Sequence, residues 1–160
     1  MQKQAELYLS RSENELIAAN VLFTVSQDEK LQTGPLRLER RSTFYSNVIS
    51  NAYYSIFYAA KALLIEQGIR TDAPNIHIKT IEAFENHLVK SGKLDVELLL
   101  LYKKAVVQAD ELMGILSKEK GKRGAFTYKT IPTANIEPAK ESLENASFFF
   151  KHILGVLRRK

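Results

Sequence analysis

The chain has 160 residues, 45% of them hydrophobic and 26% charged, a composition that suits one globular domain and excludes wholesale disorder. It contains no cysteine, which removes disulfides, thiolate nucleophiles and thiolate metal sites in one step. A formal net charge of +5 is a mild bias toward phosphate backbones, and many proteins that bind no nucleic acid carry as much.

No apolar run approaches a membrane span, and the N-terminal MQKQAELYLSRSENE lacks the hydrophobic region of a signal peptide. A cytoplasmic protein with no membrane contact is the expectation. The first helix is predicted over Lys3 to Val25. Leu7, Ile17, Ala18, Val21 and Leu22 form its apolar stripe, and Arg11, Glu13, Asn14 and Glu15 are assigned to water. Residues 26–43, SQDEKLQTGPLRLERRST, interrupt this pattern with a Gly-Pro turn and a basic run at Arg37, Arg40 and Arg41. This irregular insertion suits a mobile loop, an RNA-contacting arm or a dimer element.

Ser46 to Gln67 contains no Pro or Gly, and Gly68 follows as a stop signal. Its apolar residues recur at helical spacing, and Tyr53, Tyr54, Phe57 and Tyr58 crowd the middle. A helix apolar around more than one stripe belongs at the centre of a bundle. On it Tyr54 and Tyr58 share one face, and Tyr53 and Phe57 the next. Core packing accounts for these rings without a ligand.

A turn closed by Pro74 leads to a third helix over about Ile76 to Lys90, with Asn75 as N-cap and Ile78, Ile81, Phe84 and Leu88 inward. Asp95 is placed to cap a fourth, strongly apolar helix that runs through Leu116. Residues 117–135 then form a basic loop. Lys118, Lys120, Lys122, Arg123 and Lys129 are interleaved there with Phe126 and Tyr128, a combination that can meet phosphates and stack on bases. The last helix begins near Asn135, with Ala139, Leu143, Ala146, Phe149 or Phe150, Ile153 and Leu157 inward.

The run NAYYSIFYAAKALL, preceded by an amphipathic helix and followed by a Gly-Ile turn, resembles the signature helix of HEPN domains. It looks most like the uncharacterised branch often encoded beside a minimal nucleotidyltransferase. The resemblance implies a single all-α domain over 1–160, an antiparallel bundle of about five helices. Active members of the family are mostly metal-independent ribonucleases, often toxins, with an Arg followed a few residues later by His. The matching segment here runs from Arg123 to Tyr128, with tyrosine at the histidine position, and a phenol is a poor base near neutrality. A second match to the spacing is Arg70 with His77, which lies elsewhere than the family motif.

In relatives the position of Asn51 is commonly Arg and that of Tyr58 commonly His, so the resemblance places these two in a cleft, and Tyr54, on the face of Tyr58, joins them as a candidate for RNA or nucleotide binding. His77, His87 and His152 offer no helical metal-ligand spacing, and neither metal nor cofactor is expected. The expected function is binding of, or action on, RNA or nucleotides. The chain would then be one member of a toxin–antitoxin or nucleotidyltransferase pair and, by the resemblance and the over-apolar LLLLY and FFF runs, a homodimer. The alternative is a non-catalytic helical module that binds a partner protein.

Overall fold

The computed structural model describes residues 1–114 and 135–159, and every regular element within them is helical. The helices are α1 (Lys3–Gln27), α2 (Glu29–Thr33), α3 (Tyr45–Glu66), α4 (Ile76–Phe84), α5 (Val96–Met113) and α6 (Ile136–Arg158). A π-helical turn over Glu85–Val89 continues α4. The expected all-α bundle is what the chain forms, with one short helix, α2, beyond the five anticipated.

The bundle is built around α3, which packs on α1, α6, α5 and α4. It is long and apolar enough to cross a membrane by composition, yet its apolar surface is mostly consumed inside the bundle. From Ala52 to Ile65 every residue is buried except Tyr54 and Tyr58. Gly68 ends the helix at φ +78, a left-handed value that glycine adopts without Cβ strain. Its N–H reaches Ile65 O at 2.8 Å, and Ile69 N–H reaches Leu64 O at 2.9 Å. Ala139, Ala146, Phe149, Phe150, Ile153 and Leu157 form the buried stripe of α6, as its spacing predicts.

The stripe predicted for α1 is wrong in part: Leu22 packs against the core and Ala18 is half-buried, but Leu7, Ile17 and Val21 are all more than 50% exposed. Ala5, Ser12, Ala19, Val25 and Ser26 are buried, with Tyr8, Leu9, Leu16 and Phe23 partly buried beside them. The small residues Ala5, Ser12, Ala19 and Ser26 recur every seven positions and bring α1 close against α3. Ser12 Oγ donates to Ser55 O at 2.7 Å across the seam. Close approach of two backbones, flanked by the partly buried Leu9, Leu16 and Phe23, selects this face.

At the start of α4, Asn75 makes no side-chain capping bond and instead takes a left-handed conformation, φ +61, which asparagine tolerates. Asp95 likewise makes no side-chain cap bond at the start of α5. A bond between Lys104 and Glu141 ties α5 to α6, and Lys103 pairs with Glu85 at 3.0 Å.

Residues 26–43 hold the end of α1, the short helix α2 and an irregular stretch from 34 onward. Within them α2 is capped by Asp28, whose carboxylate accepts from Leu31 N–H at 2.9 Å. The fully buried Gln32 closes the connection. Its side-chain amide donates to Val25 O and Ser42 O, and its carbonyl accepts from Ser42 N–H at 2.9 Å. Phe44 N–H then donates to Ser26 Oγ at 2.8 Å, joining the strap to the start of α3.

Candidate functional site: the tyrosine cleft

Helical periodicity gives α3 one stripe that the bundle does not close. Asn51, Tyr54 and Tyr58 stand at three- and four-residue intervals, so they share a face, and all three are only half-buried. Asn51 and Tyr58 are the pair the family resemblance places in a cleft, and Tyr54 stands between them. The rings of Tyr54 and Tyr58 stack at 6.0 Å, and Tyr8 of α1 extends the ladder by stacking on Tyr58 at 5.9 Å.

The α1 wall supplies the charge. The Arg11 guanidinium lies 5.6 Å from the Tyr8 ring centre and 5.9 Å from that of Tyr58, within cation–π range of both. Glu15, one helical turn along, is half-buried, and burial pushes its carboxyl above the ordinary range. Burial also pushes the Tyr54 phenol up, with further contributions from Tyr58 and Glu15. The Tyr58 phenol rises for the same leading reason, aided by Glu15 and opposed by Arg11. Both hydroxyls therefore keep their protons at neutral pH and act as donors. Arg11 is exposed, as the sequence predicts, and reaches the rings from the surface; Glu15, also assigned to water, is half-buried, and the phase of the small-residue heptad on α1 is the signal that would have placed it beside the cleft.

The α4 wall supplies His77. Its Nδ1 is 2.6 Å from the hydroxyl of Tyr53, a buried residue, and its ring lies 4.5 Å from that of Phe57 and 6.1 Å from that of Tyr54. The hydroxyl and the rings fix the orientation of the imidazole. Lys61, only 2% exposed, secures the turn before α4 from below. It donates to Thr71 O at 2.6 Å and lies 5.0 Å from the Tyr8 ring. Burial lowers its pKa, and Asp72 partly offsets that. Thr71 in turn meets Thr80 of α4 at 2.8 Å.

Arg70 is exposed just beyond α3, and His77 stands half-buried in the first turn of α4. His87 and His152 are both exposed, and His152 lies against Phe148. Lys118, Lys120, Lys122, Arg123, Phe126, Tyr128 and Lys129 lie outside the described residues. Among the described residues, no group of three or more histidines and carboxylates is placed to hold a metal. What the cleft offers is protonated phenol donors, aromatic faces, one guanidinium and an oriented imidazole. That set is complementary to a ligand with both a planar ring and an anionic group.

Residues 28–151 match the HEPN domain family. The chain belongs to that family. The matched stretch includes Asn51, Tyr54, Tyr58 and His77, whereas Tyr8, Arg11 and Glu15 of the opposite wall precede it. Among curated proteins, this HEPN chain is 40% identical over 57 residues to Putative toxin MJ0142 of Methanocaldococcus jannaschii, covering 36% of this chain and 37% of that protein. It is 36% identical over 93 residues to the UPF0332 protein PH1297 of Pyrococcus horikoshii, covering 58% of this chain and 51% of the relative. The chain thus spans about half or less of the length of these relatives.

Proposed function

We propose that this HEPN protein binds RNA or a nucleotide in the tyrosine cleft. It would serve as the toxin-like member of a cytoplasmic pair whose other member is an antitoxin or a cognate nucleotidyltransferase. The observation that carries this reading is the half-open Asn51–Tyr54–Tyr58 stripe, with Arg11 along one wall and His77 along the other. Stacking on aromatic rings favours bases, and a guanidinium favours phosphate. The likeness to a protein named as a toxin supports the toxin role. The basic segment 117–135 adds affinity, with Lys122 and Arg123 as its principal cations.

Any RNA cleavage by this protein is slow or absent, because Tyr128 stands at the sequence position where active relatives carry the motif histidine. The test is a fluorescence-anisotropy titration of a labelled single-stranded RNA, paired with a cleavage assay without added metal. Tyr54→Ala and Tyr58→Ala are expected to weaken binding, and wild-type cleavage to be weak and to depend on His77. Binding untouched by either tyrosine variant, or brisk cleavage that survives His77→Ala, would refute the reading.

A partner-binding role has its own support in Leu100 and Val107, both about 60% exposed and two turns apart on α5. We assign this face to homodimer formation. Light scattering that reports a monomer at tens of micromolar would remove it.

A further inference from the structure

We propose that the strap between α1 and α3 is a second nucleic-acid contact, a fixed arginine platform for the phosphates of a single-stranded RNA whose bases occupy the tyrosine cleft. The proposal rests on the RNA reading of that cleft and adds a surface the cleft does not include. Its residues are Arg37, Arg40 and Arg41, all exposed. Among the described residues none of them forms an ion pair, although Glu39 stands within the run.

Three observations support it. The first is rigidity. Long surface side chains on a loose loop lose much of any binding energy to ordering, whereas a pre-set backbone does not. Here the backbone is set on both sides. Gln32 holds Val25 and Ser42 at the two ends, and Leu38 N–H donates to Gln32 O at 2.8 Å in the middle. Arg37 itself takes a left-handed conformation, φ +51, with its N–H bonded to Gly34 O at 3.2 Å. Gly34 is required in turn, since a Cβ there would stand 2.8 Å from Lys30 O.

The second observation is charge density. From Arg37 to Arg41 the chain spans at most about 14 Å. Even the close per-strand spacing of a double helix, about 3.4 Å of axis per phosphate, puts only about four phosphates in this span, so three cations there can neutralise most of those that a single strand presents. A protein partner would want an apolar centre ringed by charge, and the strap exposes only Leu36 as a large apolar side chain. The third is position. The strap enters α3 at Tyr45, and Tyr54 and Tyr58 lie about 14 and 20 Å along the helix axis. An oligonucleotide can bridge the two surfaces; a mononucleotide cannot.

The experiment uses the full chain, a labelled twelve-nucleotide single-stranded RNA, and AMP. Arg37→Ala/Arg40→Ala/Arg41→Ala changes exposed side chains only, and circular dichroism checks that it remains helical. The variant is expected to bind the RNA at least about tenfold more weakly at low salt. The slope of log affinity against log salt should shrink by about two, since each lost single-strand phosphate contact removes about 0.7. Its affinity for AMP should be unchanged. Gln32→Leu, which keeps the arginines but frees the strap, should weaken the RNA in the same direction.

An unchanged RNA slope in the triple variant, with Tyr58→Ala still weakening the RNA, would overturn the platform while leaving the cleft reading intact. It would point instead to an acidic protein surface. No RNA binding by the wild type at low salt would overturn both.

Discussion

The two sides of α3 solve opposite problems with the same helical spacing. Toward α1, Ala5, Ser12, Ala19 and Ser26 are fully buried, and the helices close until the Ser12 hydroxyl bonds the facing Ser55 backbone. Between α1 and α4, Asn51, Tyr54 and Tyr58 hold polar-tipped side chains that neither neighbouring helix covers completely. Small residues exclude a ligand by leaving it no room. Aromatic residues with protonated hydroxyls leave a floor that is apolar in its faces and hydrogen-bonding at its edges. The seam is where the fold is stabilised, and the stripe is where surface remains for recognition.

The comparison breaks most severely at the seam. Ser12 and Ala19 are both fully buried. A double Ser12→Leu/Ala19→Leu variant overpacks two points about 10 Å apart, far enough for the effects to add. At about 1–3 kcal/mol for each, the loss approaches the whole stability of an ordinary domain. Thermal unfolding followed by circular dichroism should show a midpoint lowered by ten degrees or more. A midpoint within two degrees of the wild type would mean that the seam is not close-packed.

On the open side the order of effects reverses. Tyr58→Ala should cost about 1–3 kcal/mol of RNA binding while the protein still unfolds cooperatively, because stacking on one aromatic ring contributes on that order. Tyr58→Phe keeps the ring and should retain most of the affinity. If the phenylalanine variant binds as weakly as the alanine one, the hydroxyl rather than the face makes the contact.

These two regions were unequally legible in the sequence. The central helix and α6 announce themselves, because long side chains recur on a helical period and glycine or basic residues mark their ends. On α1 the same rule misleads. Leu7, Ile17 and Val21 outweigh alanine and serine on any hydrophobic scale, yet these three are exposed while Ala5, Ser12 and Ala19 are fully buried among Leu9, Leu16 and Phe23. That phase error carried the half-buried Glu15 away from the cleft it borders, whereas Arg11 is exposed as expected and reaches the Tyr8 and Tyr58 rings from the surface. The order in residues 26–43 was hidden for another reason. Gln32 makes it with an amide that pairs with distant backbone, an interaction with no periodicity to detect. Tyr54, Tyr58 and Asn51 were legible as a face; that the face is half-open follows only from how α1 and α4 are set.

A smaller effect tests how His77 is held. Tyr53→Phe removes the 2.6 Å bond to Nδ1 and keeps the ring packing. The stability cost should be about 1 kcal/mol, the usual net contribution of such a bond. The more telling readout is the His77 imidazole resonance by NMR, which should shift and broaden as the ring loses its orientation. An unperturbed resonance would show that the aromatic rings alone fix the imidazole.

The smallest effect concerns Glu15, and its sign separates a cleft wall from ordinary helix surface. Burial holds the folded-state pKa of this carboxyl above its ordinary value of 4.5, so the folded protein retains a proton that the unfolded chain has already released. The associated stability is fully present below 4.5 and is lost as pH rises through the folded-state value. Above that the curve is flat again with respect to this group. Glu15→Gln cannot titrate, so it should remove this fall and leave the variant at least as stable as the wild type at neutral pH. Glu15 also helps raise the Tyr54 and Tyr58 phenols, so in the same variant both should ionise at lower pH, a change visible in tyrosinate absorbance. The solvent-facing position expected from the sequence predicts the contrary, with no change in either curve. A variant whose stability–pH profile and tyrosinate titration both overlay the wild type would return Glu15 to the surface and leave Arg11 as the only charge on that wall.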